Sequence, residues 1–217
     1  MSSPLSLADI RINYSLKVLT PEAVAHSPLE QFNTWMQEAL SAKADEATAM
    51  TLSTADAQGK PSARVVLLKE VTAQGFVFYT NYESRKGNQL AQNPYAALTF
   101  FWPVLERQVR IEGTVQRVDG ETSDTYFQSR PRGSQIGAWS SPQSQPIADR
   151  NVLEELEKEN TRKFADQDPL PRPPHWGGYV VVPERVEFWQ GRPNRLHDRL
   201  VYEPNAEGSW SLQRLAP

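Results

Sequence analysis

Ser84-Arg85-Lys86 places a hydroxyl and two cations where a helix is predicted to begin. Bases in a first helical turn oppose the macrodipole at about 0.3–1 kcal/mol each, and a bound anion reverses that sign. A serine N-cap, free backbone N–H groups and two cations together form a phosphate cradle. Bases that simply reach water satisfy the same sequence, so the segment alone leaves both readings open. Tyr126 and Arg130 stand four apart on one predicted helix face, with Ser134 just past Pro131. Phenol, guanidinium and hydroxyl suit a second small anion, and equally suit a part-buried tyrosine with an arginine near the helix end.

Further candidates lie on predicted strands. In Arg195-Leu196-His197-Asp198-Arg199, positions 195, 197 and 199 share parity, so an extended backbone projects all three to one side. Those bases repel unless an anion or carboxylates lie between them; a lone histidine is more often structural than catalytic, and flanking arginines tilt this one toward anion or redox chemistry. Parity does not settle on which side Trp189 falls. Gln108 and Arg110 share a face opposite Val109 and Ile111, offering amide and guanidinium donors to a planar heterocycle. Arg64-Val65-Val66-Leu67-Leu68-Lys69 brackets an apolar run with cations. Alternation puts its two ends on opposite faces, so one ligand reaches both only across a bulge, a strong twist or the strand end. Gln143-Ser144 lies in a Ser/Pro/Gln loop with no internal sign of function.

The elements that must position these residues come from 217 residues, enough for one large domain or two small ones. No run approaches the roughly 18 apolar residues of a membrane span, and the start lacks the pattern of a signal peptide. Zero cysteines exclude disulfides, thiolate zinc sites and cysteine nucleophiles, and the cytoplasm fits best. A net charge of −3 argues against duplex nucleic acid as a partner. His26, His175 and His197 show no metal-ligand spacing, so no metal site is expected. Phosphate-loop, dinucleotide and nucleophile-elbow motifs are all missing.

Residues 1–26 read as a flexible arm carrying Arg11 and Tyr14, and residues 27–217 as a single domain. Ser27-Pro28-Leu29-Glu30 predicts a helix start with a capping box, followed by an apolar stripe of Leu29, Phe32, Trp35, Met36 and Leu40. Strands are predicted near Ala49–Thr54, Ser62–Lys69, Phe76–Thr80, Ala96–Trp102, Val109–Val118, Tyr179–Val182, Arg185–Gln190, Leu200–Glu203 and Trp210–Arg214. Turns at 56–59, 72–75 and 205–208 make antiparallel hairpins of their neighbours, and a closed or nearly closed antiparallel barrel follows. Val65 to Leu68 is apolar on both faces, so a helix or a second subunit must cover it. Helices are predicted at Ser84–Gln92, Gly120–Ser129 and Asp149–Phe164, the last with a solvated charged face.

Taken in order, these motifs resemble the pyridoxine/pyridoxamine 5′-phosphate oxidase family from about Arg11 to Pro217. The most specific parts are residues 64–69, Phe78-Tyr79-Thr80-Asn81, Ser84-Arg85-Lys86, Glu106-Arg107-Gln108-Val109, Ser129-Arg130-Pro131-Arg132, residues 134–139, Glu187-Phe188-Trp189-Gln190-Gly191 and residues 195–199. The resemblance implies a mainly β, α+β fold, an antiparallel FMN-binding split β-barrel, and a homodimer with FMN in a cleft between subunits. It assigns FMN to Arg64, Val65, Val66, Leu67, Leu68, Lys69, Tyr79, Thr80, Arg85, Lys86, Gln108, Gln143, Ser144, Trp189 and Arg199. It assigns the substrate to Arg11, Tyr14, Lys69, Tyr126, Arg130, Ser134, Arg195, Leu196 and His197, with Arg195 and His197 as the catalytic pair over the pyridine ring. The implied reaction oxidises pyridoxine 5′-phosphate and pyridoxamine 5′-phosphate to pyridoxal 5′-phosphate with O2, making hydrogen peroxide in vitamin B6 biosynthesis or salvage. A split-barrel flavin protein with another substrate, or a pure flavin carrier, is the alternative. Ile12 and Asn13 separate Arg11 from Tyr14 where relatives often carry a more basic arm, and Arg192-Pro193-Asn194 stands where Gly or polar residues are common.

Overall fold

The structure, a computed structural model, describes residues 13–217. Arg11 lies outside the described residues. Among them the chain forms α1 (Pro28–Ser41), β1 (Ala49–Ala55), β2 (Pro61–Leu67), β3 (Glu70–Val71), β4 (Phe76–Asn81), α2 (Arg85–Gln92), β5 (Tyr95–Trp102), β6 (Arg107–Arg117), α3 (Gly120–Ser129), α4 (Arg132–Ser140), α5 (Asn151–Lys163), β7 (Trp176–Gln190), β8 (Asp198–Pro204) and β9 (Trp210–Leu215). Hydrogen bonding orders the strands β2-β1-β5-β6-β7-β4-β3, with β8 on β7 and β9 on β8. Two predicted hairpins form as expected, β1 with β2 and β8 with β9; at the 72–75 turn the antiparallel partner of β4 is the separate two-residue β3 and not the 62–69 strand. No described helix is long and apolar enough to cross a membrane.

Contacts divide the chain into two compact units. The first holds residues up to Ala47, Thr99–Arg110 and Arg185–Pro217; the second holds Thr48–Leu98 and Ile111–Glu184. In the first, Ser27 caps α1 by accepting from Leu29 N. The buried face differs from the predicted stripe: Gln31, Phe32, Trp35 and Ala39 are buried, while Leu40 is 57% exposed. Residues 32, 35 and 39 turn toward one side at helical spacing, and Leu40 falls about 100° beyond it. Phe32 packs 4.9 Å from Phe100, and Trp35 packs edge-on to Phe188 at 5.1 Å.

In the second unit, Phe127, Ile136, Phe164, Leu170 and Trp176 build a core beneath the helices. Two sequence readings are corrected here. The separate strands at 179–182 and 185–190 are one strand, β7, which continues through Pro183. A helix over residues 132–140, α4, stands where the sequence reading places no element. Pro131 precedes the helix rather than interrupting it, where its missing N–H costs nothing. Edge strand β2 has its outer face uncovered, with Val65 68% and Leu67 39% exposed.

Candidate functional site

The second unit carries a cluster of cations without acid partners. Ser84 is buried at the N-cap of α2, where its Oγ donates to Asn81 O at 2.7 Å and accepts from Gly87 N at 3.3 Å. Lys86 Nζ folds back over this cap and donates to Gln143 Oε1 at 2.7 Å, Thr80 Oγ1 at 2.9 Å and Ser84 Oγ at 3.2 Å. Arg64, from β2, donates to Ser62 Oγ at 2.6 Å, Thr54 Oγ1 at 2.7 Å and Leu52 O at 3.0 Å. Gln89 Oε1 accepts from Thr54 and Ser62, which fixes the acceptors that Arg64 uses. All of these acceptors are neutral. Burial and then Arg64 pull the Lys86 ammonium down to about 8; burial and then Arg85 lower Arg64 as well. Burial and a neighbouring cation thus disfavour the charged Lys86 and Arg64 in a place where a phosphate dianion would stabilise them. Arg85, Gln143 and Ser144 also line a cavity of about 430 Å3, whose wall includes Asp56 and Glu83.

A second anion place adjoins the first, since Gln143 lines both cavities. Arg130, Ser134, Asn81, Gln143 and Trp176 are among the residues around a space of about 240 Å3. The Arg130 guanidinium lies over the Trp176 ring at 4.6 Å, and its buried Nη1 has no hydrogen-bond partner among the described residues. An unsatisfied buried charged donor is costly, and an anionic oxygen in the cavity would satisfy it. The Tyr126 ring stacks on Tyr79 at 3.8 Å and lies nearly parallel to Trp176. Burial, with Glu70 second, pushes the Tyr79 phenol up to about 12, so it remains a neutral donor. Gln135, which sequence reading missed, donates to Phe127 O, Gln128 O and Arg130 O and closes the end of α3. An amide among arginines and serines carries no signal of that role.

The Arg64/Lys69 parity conflict disappears, because β2 ends at Leu67 and the strand alternation stops before Lys69. Lys69 N donates to Val77 O at 2.9 Å, and its side chain is exposed and lines neither cavity. Val66 is half-buried and Leu68 buried.

The first unit brings together Tyr14, Trp189 and His197. Their ring centroids lie 5.8 Å (Tyr14–Trp189), 6.0 Å (Tyr14–His197) and 4.6 Å (Trp189–His197) apart. The backbone N–H of Arg192 donates to His197 Nδ1 at 3.1 Å, which leaves the proton of the neutral ring on Nε2. Burial and then Arg195 lower the His197 pKa, favouring that neutral form. The shared-parity reading of 195, 197 and 199 fails. Arg195 sits in a 3-10 turn over residues 193–195 at φ 62°, following Asn194 at φ 57°, and the extended strand begins only at Asp198. Arg195 and Leu196 are exposed. Register settles Trp189, which pairs with Arg199 across β7 and β8.

One carboxylate answers the expected repulsion at Arg199. Glu187, 3% exposed, accepts from Arg199 Nε and Nη2, each at 2.9 Å, and from Arg110 Nη1 at 3.5 Å. Gln108 and Arg110 do share the less buried face of β6, as alternation predicts. Glu187 is the acid that sequence reading left out, although its place two residues before Trp189 puts it on the same strand face.

Known proteins match this chain closely. A family model described as pyridoxamine 5′-phosphate oxidase matches residues 36–156, and another, described as the pyridoxine 5′-phosphate oxidase C-terminal dimerisation region, matches residues 176–217. A pyridoxine/pyridoxamine 5′-phosphate oxidase of Paraburkholderia phytofirmans is 56% identical over 213 residues, covering 98% of this chain and 99% of that protein. The same-named protein of Salinibacter ruber is 57% identical over 212 residues, with 97% and 99% covered. Among solved structures, PhzG from Burkholderia lata 383, in complex with tetrahydrophenazine-1-carboxylic acid, superposes with a TM-score of 0.86 at 29% identity, over 94% of this chain and 100% of that one. A pyridoxamine 5′-phosphate oxidase-related, FMN binding protein from Nostoc punctiforme shares the fold at a TM-score of 0.69 and 18% identity, over 89% of this chain and 100% of that one.

Proposed function

The chain belongs to the pyridoxamine 5′-phosphate oxidase family, with its antiparallel split-barrel fold, and from that premise we propose that it uses FMN to oxidise pyridoxine 5′-phosphate and pyridoxamine 5′-phosphate to pyridoxal 5′-phosphate. O2 is the acceptor and hydrogen peroxide the second product. The observation that carries this reading is the pair of adjoining anion places, one a cluster of cations with neutral partners and the other holding the unpartnered Arg130 Nη1. A flavin phosphate and a substrate phosphate require two such places.

FMN fits the donor set. Arg64, Thr80, Arg85, Lys86, Gln143 and Ser144 would hold its phosphate end, where a dianion offsets the mutual repulsion of the bases. Residues 65–69, Tyr79, Gln108, Trp189 and Arg199 are assigned to the same cofactor on the family resemblance. When bound, FMN supplies the redox chemistry, taking two electrons from C4′ of the substrate and delivering them to O2. This chain's residues bind and orient. Arg130 and Ser134, which line the second cavity, would hold the substrate phosphate; Tyr126 and Lys69 are assigned to that phosphate, and Arg195 and His197 to the pyridine ring, on the family resemblance. For the amine substrate, water supplies the aldehyde oxygen and ammonia leaves. We place residues 27–217 in one functional domain that works as a homodimer in the cytoplasm, a second copy covering Val65 and Leu67.

A second reading, a split-barrel flavin protein with a different substrate, is favoured by one observation: PhzG was solved with a tetrahydrophenazine acid rather than a B6 phosphate. A visible spectrum followed by anaerobic addition of pyridoxine 5′-phosphate separates the readings. The expected result is a yellow protein that bleaches and forms pyridoxal 5′-phosphate. A colourless protein that neither takes up nor quenches FMN would overturn the flavin reading. A yellow protein that neither B6 phosphate bleaches would shift the function to another substrate or to flavin carriage.

A further inference from the structure

Glu106 opens the Glu106-Arg107-Gln108-Val109 motif but has no role in the proposed chemistry, yet it is only 9% exposed. It sits at the end of the 3-10 turn that joins β5 to β6, in the left-handed region at φ 55°. That conformation is uncommon for a residue other than glycine, asparagine or aspartate, so the side chain must do something that a glycine could not. Its carboxylate Oε2 accepts from two consecutive backbone amides of the amino-terminal arm, Ser15 N at 2.8 Å and Leu16 N at 3.0 Å. Its backbone O accepts from Gly191 N at 2.7 Å and Gln190 Nε2 at 3.2 Å, just beyond Trp189. One residue thus ties the arm to the end of β7.

Tyr14 stands immediately before the amides that Glu106 holds, and its ring meets both Trp189 and His197. The fit against the strand end is close: a methyl at Gly191 would lie 2.7 Å from Tyr14 Cβ and Cγ and 3.0 Å from Glu106 Cβ. Farther along, the arm is held at other points, by Arg192 on Lys17 O and by Asp198 on Leu19 N. Glu106 is the clasp nearest Tyr14.

We propose that Glu106 is a positioning residue that fixes Tyr14 on the His197 ring and thereby sets the orientation of the proposed catalytic pair. The catalytic half of this inference rests on the functional reading above; the clasp itself does not. Because the chain has no cysteine, Asn13→Cys gives a single site for a nitroxide label next to Tyr14. The label should report an immobilised arm in the holoprotein, a mobile one in Glu106→Ala, and a nearly native one in Glu106→Gln, whose amide oxygen still accepts. Alanine and glutamine carry a similar left-handed penalty, so their difference isolates the acceptor. Should the alanine variant not fold, Glu106→Asp draws the carboxylate back by one methylene and must free the arm in the same way.

With pyridoxine 5′-phosphate, the alanine variant should show a KM raised at least tenfold with its flavin retained, and the glutamine variant most of the wild-type behaviour. An arm equally immobile in folded Glu106→Ala or Glu106→Asp overturns the clasp, whatever the enzyme oxidises. A freed arm with unchanged kinetics in an active enzyme overturns the action through Tyr14. An inactive wild-type protein refutes the functional reading and leaves the label to decide the clasp.

Discussion

At the residue scale, Lys86 ties the cofactor reading to a measurable proton. Its ammonium is held down to about 8, against 10.5 for an ordinary lysine, by burial and by Arg64. Between those two pH values the unfolded chain binds more protons than the folded one, so the stability of the apoprotein should rise with pH across that window. Bound FMN would raise the Lys86 pKa, so holoprotein melts should lack the rise, and FMN affinity should fall as pH passes 8. Melting curves of both forms from pH 7 to 10.5 check this; parallel curves would remove the phosphate from Lys86. Lys86→Ala should weaken FMN binding by about 1.5–3 kcal/mol, roughly 10- to 100-fold, without lowering the apoprotein melting temperature. Fluorescence titration at wild-type affinity would contradict it. Arg195→Leu and His197→Asn address chemistry instead of cofactor. Both should stay yellow and slow anaerobic flavin reduction about tenfold or more, since the phosphate contacts of Arg130 and Ser134 remain. Stopped-flow rates equal to wild type in both variants would make these residues structural.

At the element scale, the start of α2 is built on a close approach. A methyl at Gly87 would lie 2.0 Å from Tyr82 O, so the first turn sits directly against the backbone that precedes it. Gly87→Ala should therefore cost about 1–3 kcal/mol and carry Lys86 away from Thr80 and Gln143, lowering FMN affinity as well. Gly133, near the start of α4, has nothing within 4 Å of such a methyl, so Gly133→Ala should stabilise by about 0.4–1 kcal/mol. Chemical denaturation of the two variants, with FMN titration of each, checks the contrast. Similar stability changes in both would mean that α2 is free to shift. Sequence pattern placed the start of α2 correctly because the cap is local: Ser84, Gly87 and Asn81 lie within six residues. It missed α4, whose Gln135 ties it to the end of α3 through bonds to Phe127 O and Arg130 O, because an amide carries no signal of that role.

At the scale of the whole molecule, Val65 and Leu67 on an edge strand leave an apolar face that water covers poorly. Val65→Lys should turn a dimer into a monomer that retains little flavin, read by sedimentation velocity together with the visible spectrum. A wild-type monomer saturated with FMN would contradict the assembly. Much of this protein was determined by its order of residues alone. Short runs of β-branched and aromatic residues marked the strands, turn residues marked the hairpins, and Ser84 followed by two bases marked the start of α2. These are local properties, written within a few residues of one another. Tertiary structure alone decided which acid answers Arg199, that β2 stops before Lys69, that Arg195 leaves the extended path, and that Glu106 holds the arm. The Glu106 clasp joins groups 91 positions apart and the Arg199–Glu187 pair joins groups 12 apart, which meet only after folding, and no local pattern encodes such partners.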